Sequence, residues 1–69
     1  MNVTADITGV VTRIQAKVGE VVGKQDVLLV CESMKMEIEI PSPCDGVVEK
    51  IYVQESDTVY EGDLVIEIK

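Results

Sequence analysis

The 69-residue chain contains no histidine, tryptophan or phenylalanine, only two tyrosines and two cysteines, and six basic side chains against 13 acidic ones. Each shortage excludes something. Without histidine there is no ordinary general base near neutral pH, and with only Cys31 and Cys44 a zinc site lacks two of its usual ligands. No nucleophile–base pair and no Gly-rich phosphate loop compensates, so the composition is that of a non-catalytic protein. A net charge of −7, with acids spread along the chain, argues against nucleic acid and anionic membranes, both of which select basic patches. No run approaches the roughly 20 apolar residues of a membrane span, and no basic segment leads into an apolar stretch at the start, as a secretory signal would require. The expected location is the cytoplasm, or an organelle matrix or plastid after processing, where Cys31 and Cys44 are reduced thiols.

What is present is aliphatic. The length allows one small domain, residues 1–69, and its core has to be built from Val, Ile and Leu, whose β-branched majority favours strands. Nothing reads as a long helix. Sliding the chain against itself by 37 positions lays "GVVTRIQAKVGEVVGKQDVLLV" from Gly9 on "GVVEKIYVQESDTVYEGDLVIE" from Gly46 without a gap. Gly9, Val10, Val11, Ile14, Val22 and Asp26 fall on Gly46, Val47, Val48, Ile51, Val59 and Asp63 as identities. Two copies are too few for a solenoid. The expected fold is therefore all-β: a pseudo-two-fold flattened barrel or sandwich of two similar four-stranded halves, each closing the other's core. Turns are expected at Gly19-Glu20 and Gly23-Lys24-Gln25-Asp26 in the first half and at Ser56-Asp57 and Glu61-Gly62-Asp63 in the second, and the segment around Val18 to Gln25 reads as polar loop. Gln25 stands where the second half has Gly62, which predicts a different backbone geometry for the first half's turn.

Extended to its ends, the offset maps Met1–Glu32 onto Ile38–Lys69 and leaves only Ser33, Met34, Lys35, Met36 and Glu37 unmatched. Apolar and acidic residues alternate from Met36 to Ile40, the period of a half-buried strand, so this link is a hairpin with its turn at Met34 and Lys35. The tightest hairpin turns need positive φ and favour Asn-Gly or Asp-Gly, yet no Gly, Asn, Asp or Pro occurs between Glu32 and Ile40. Taken alone, an exposed lysine is an ordinary turn residue. Here it sits in a turn that breaks the local residue rule, between two methionines that would face water, at the one place the repeat leaves unexplained. Departures of this kind concentrate at functional sites.

"ESMKME" resembles the attachment signature of biotinyl domains, whose usual form is Glu-Ala-Met-Lys-Met, and the resemblance to this biotin/lipoyl attachment family extends over nearly the whole chain. It implies a barrel-sandwich hybrid acting as a biotin carboxyl carrier, with biotin joined covalently to Lys35. A biotin protein ligase would convert the amine to an amide, leaving five basic side chains and a net charge of −8. The resemblance further implies a swinging arm that moves a carboxyl group between a biotin carboxylase and a carboxyltransferase or decarboxylase, the carrier itself catalysing nothing. Met34 and Met36 would serve ligase recognition, where lipoyl domains normally carry Asp and Ala. Glu32 is common to both families and has a minor role.

Ser33 replaces the commoner Ala, a small-for-small exchange of little expected effect. No extra residues follow Ile14 where some carriers insert a thumb, so a thumbless domain is expected. The chain reads as a free-standing carrier or as a piece of a longer carboxylase, and as a monomer when isolated. Two other readings stand beside it: a lipoyl or dual biotin/lipoyl attachment protein, and an unmodified β-rich interaction module in which Lys35→Arg would be silent.

Overall fold

Short stretches rich in Val, Ile and Leu, closed by Gly- or Asp-containing turns everywhere except at Met34-Lys35, produce eight strands and no helix in the computed structural model, which describes residues 1–69. They are β1 (Asn2–Thr4), β2 (Gly9–Ile14), β3 (Val21–Val22), β4 (Val27–Ser33), β5 (Met36–Pro41), β6 (Gly46–Ile51), β7 (Thr58–Val59) and β8 (Leu64–Ile68). Two antiparallel four-stranded sheets form, in the orders β1-β8-β6-β3 and β5-β4-β2-β7. Exchanging each strand for its mate 37 residues away turns one order into the other. Each half therefore contributes two strands to each sheet, and neither half can bury its apolar faces without the other.

The symmetry extends to single irregularities. The register slips between Val11 and Arg13 where β2 meets β4, and between Val48 and Lys50 where β6 meets β8. Fourteen of the 16 buried residues are seven pairs related by the offset, among them Val3 and Ile40, Val11 and Val48, and Leu29 and Ile66. No aromatic side chain belongs to the core. Cys31 takes the place of Ile68 in this scheme and behaves as a small apolar residue, with burial raising its thiol pKa. Ser42 replaces Ala5, and its buried hydroxyl donates to the carbonyl of Cys44 at 2.6 Å, so the added polar group is satisfied.

Two expectations about turns need correction. The segment from Val18 to Gln25 is not loop throughout, because Val21 and Val22 form β3 against Val47 and Gly46. Two residues carry no readable alternation, which is why polar surroundings masked them. Gln25 also does not change the turn geometry: its φ of 78° matches the 93° of Gly62. Gly19 and its mate Ser56 repeat this, at 90° and 78°. Shared hydrogen bonds impose the left-handed backbone in both halves. The N–H of Gly23 donates to Asp26 Oδ2 at 2.8 Å, as that of Tyr60 does to Asp63 Oδ2 at 2.9 Å. The N–H of Gln25 donates to the Ser42 carbonyl at 2.8 Å, mirrored by Gly62 and Ala5 at 2.9 Å.

Candidate functional site: the Lys35 hairpin

β4 and β5 pair as far as Glu32 opposite Glu37 and Ser33 opposite Met36, leaving Met34 and Lys35 as a two-residue loop. Both have positive φ, 52° and 65°, the left-handed conformation that the tightest hairpins require at both central positions. The loop therefore adopts the geometry of an Asn-Gly turn with two bulky residues. Such residues are genuine outliers in that region, each costing of order 1–3 kcal/mol. The hairpin's long ladder to β4 supplies the constraint that holds them there.

Lys35 is exposed, and none of the side-chain hydrogen bonds engages it. Met34 is 91 % exposed and Met36 60 %. Methionine placed this way contributes little to the domain's own packing and leaves flexible, polarizable surface beside the amine. The structure thus brings three of the four sequence-predicted residues, Met34, Lys35 and Met36, together at one tip. Lys35 shares the turn with Met34, where the sequence placed it.

Glu32 lies one step below, exposed on the outer face, with Glu37 directly opposite and Glu39 further along β5. Like charges facing each other across a ladder are mildly unfavourable. They do, however, blunt an edge: β5 ends its sheet, and charged residues on such a strand discourage pairing with other chains. The inward alternation of the same strands places Cys31, Leu29 and its partner Ile40 in the core, which anchors the hairpin. An amine on a tip fixed in this way is suited to covalent modification by a separate enzyme and to presentation to a separate active site. No enclosing pocket surrounds the tip. The two shallow cavities lie elsewhere, one between β1 and the end of β5, the other beside β3.

Residues 2–68 match the Biotin_lipoyl family, described as "Biotin-requiring enzyme". Over 68 residues the chain is 43 % identical to a pyruvate carboxylase of Staphylococcus aureus, a match covering 99 % of this chain and 6 % of that protein. A biotinylated protein TB7.3 homolog of Mycobacterium leprae is 39 % identical over 64 residues, which cover 93 % of this chain and 90 % of that one. Among solved structures, the urea carboxylase of Kluyveromyces lactis superposes with a TM-score of 0.95 at 32 % identity, over 100 % of this chain and 6 % of that one. The chain thus spans a small part of the carboxylases it matches and nearly all of a small biotinylated protein.

Proposed function

Because the chain belongs to the biotin/lipoyl attachment family, we propose that it is a biotin carboxyl carrier domain whose cofactor is joined to Lys35 Nζ. The observation that carries this is the Met34–Lys35–Met36 tip: an exposed lysine held at positive φ between two exposed methionines, at the end of the hairpin outside the repeat. The residues fit the group, since the amine is open to an incoming acyl donor and the thioether side chains beside it offer apolar contact to a ligase.

When attached, biotin supplies a ureido nitrogen that accepts a carboxyl group at one active site and releases it at another. The chain's own contribution is presentation. Its two-sheet body holds the hairpin rigid, and tethering raises the effective concentration of the arm at each site it visits. The partners this reading implies are a biotin protein ligase, a biotin carboxylase and a carboxyltransferase or decarboxylase. The resemblance to pyruvate and urea carboxylases supports a carboxylase assembly.

The test is the intact mass after co-expression with a biotin ligase, followed by peptide mapping. One biotinyl group on Lys35 is expected, and Lys35→Arg should abolish it because guanidinium does not deprotonate to form the amide. A lipoyl adduct, or none, would overturn the reading.

A further inference from the structure

The root of the Lys35 hairpin rests on a residue that has no side chain. Val10 faces Glu32, so Gly9, where β2 begins, is level with Ser33. A Cβ built at Gly9 would collide with the carbonyl oxygen of Glu32 and lie 3.2 Å from its carbonyl carbon and 3.3 Å from Ser33 Cβ. The obstacle is mostly backbone, which cannot rotate away as a flexible side chain could. Gly9 has ordinary backbone geometry, being absent from the residues with positive φ. Close approach is what requires glycine here.

The repeat supplies a control. At Gly46 an added Cβ would meet the Lys69 carbonyl oxygen at 2.6 Å and Ile68 Cγ2 at 2.6 Å. Lys69 is the mate of Glu32, so both glycines admit the same kind of backbone contact. They differ in what lies beyond it. Past Glu32 the chain runs into the Met34–Lys35 turn, whereas Lys69 bonds to Val47 on β6, in the sheet that does not carry that turn. On its other side the hairpin has no support, because β5 is an edge strand.

We propose that Gly9 is a positioning residue for the modification of Lys35: by letting the Glu32 carbonyl settle against β2, it sets the direction in which the hairpin leaves the sheet. This rests on the reading of Lys35 as the attachment site. Displacing a reacting group by about 1 Å can cost on the order of 100-fold in rate, so a hairpin tilted by an added methyl is a poorer ligase substrate.

The experiment compares Gly9→Ala with Gly46→Ala in the whole chain. Both should lose similar amounts of thermal stability. At a temperature where both are folded, Gly9→Ala should lower kcat/KM for biotin protein ligase by about 10- to 100-fold, while Gly46→Ala stays within about twofold of the parent. Equal rates for the two variants would overturn the proposal. Amide NMR shifts of Ser33 to Met36 provide a readout without any ligase: they should move in Gly9→Ala and stay put in Gly46→Ala, and the reverse or no difference would also overturn it. If the parent protein accepts no biotin, the attachment reading fails and the NMR comparison alone decides the role of Gly9. If Gly9→Ala does not fold, Ser33→Val crowds the same contact from the hairpin side. It should slow modification where Ser33→Ala does not, and modification at the parent rate would again overturn the proposal.

Discussion

Replacing Met34-Lys35 by Asn-Gly should make the domain more stable while removing the proposed attachment site. Met34 and Lys35 stand at φ 52° and 65°, where an L-residue with a Cβ loses about 1–2 kcal/mol. Glycine at position 35 escapes that cost but gives back about 0.5–1 kcal/mol through its freer unfolded chain. Asparagine at position 34 recovers part of the strain because it tolerates this region. Little burial is forfeited, since Met34 is 91 % exposed. The net gain is about 1–2 kcal/mol, and at about 4–8 °C per kcal/mol for a domain of this size the melting temperature should rise by roughly 5–15 °C. Circular dichroism melts of the parent, both single variants and the double variant would measure it. A double variant melting at or below the parent would show that the turn is unstrained and that Met34 and Lys35 are stabilising as they stand.

The other left-handed positions give a milder version of the same test. Gly19 and Gly62 have nothing within 4 Å of an added Cβ, so Ala at either should cost only the backbone penalty of about 1 kcal/mol, while Gln25→Gly or Ser56→Gly should recover part of it; losses above about 3 kcal/mol would point to an unseen clash. In the folded protein a thiol reagent should label Cys44 first and Cys31 only on unfolding, because Cys31 is buried and burial pushes its thiol pKa up from the ordinary value. Tyr52 donates its phenol O–H to Glu67 Oε1 at 2.7 Å, and that bond, helped by desolvation and the nearby Glu67 and Glu49 charges, raises its pKa from the ordinary phenol value. A raised phenol pKa means that the folded state holds its proton longer than the unfolded one. This contribution to stability is therefore complete below pH 10 and lost as pH climbs through the folded value. Ultraviolet titration of a Tyr60→Phe protein should show the remaining tyrosine ionising late, and Glu67→Gln should bring it down; no change would refute the assignment. Finally, on the proposed carrier reading, Met34→Asp with Met36→Ala should shift attachment from biotin towards lipoate in mass spectra taken after exposure to each ligase, and unchanged labelling by both would count against it.

Much of the fold was legible because the repeat is written in both strands and turns. Val11 and Val48, or Val22 and Val59, announce shared core positions, and Asp26 and Asp63 announce shared turns. The hairpin was legible for the opposite reason, as the only segment without a mate. Other features were hidden by kind. Strands of two residues, β3 and β7, have too little length for period-two alternation to register. The left-handed φ of Gln25 and Ser56 runs against residue preference and is imposed by hydrogen bonds from distant segments. The importance of Gly9 as a contact was present as an identity with Gly46, but identity alone does not distinguish a turn glycine from one that admits a carbonyl.

The same symmetry explains why there is a single tip. At the hairpin pole Cys31 pairs with Ile38 across β4 and β5. At the other pole their mates, Ile68 and Met1, exchange hydrogen bonds of 2.7 and 2.8 Å. The ladder is thus built twice and closed covalently only once, by the five residues from Ser33 to Glu37. The rest of the domain is constrained by a partner position in the opposite half, whereas these five are free to violate turn preference and expose two methionines. Chemistry placed in the link therefore leaves the core unchanged, and the core in turn fixes the link firmly enough to hold a lysine in a conformation it would not choose.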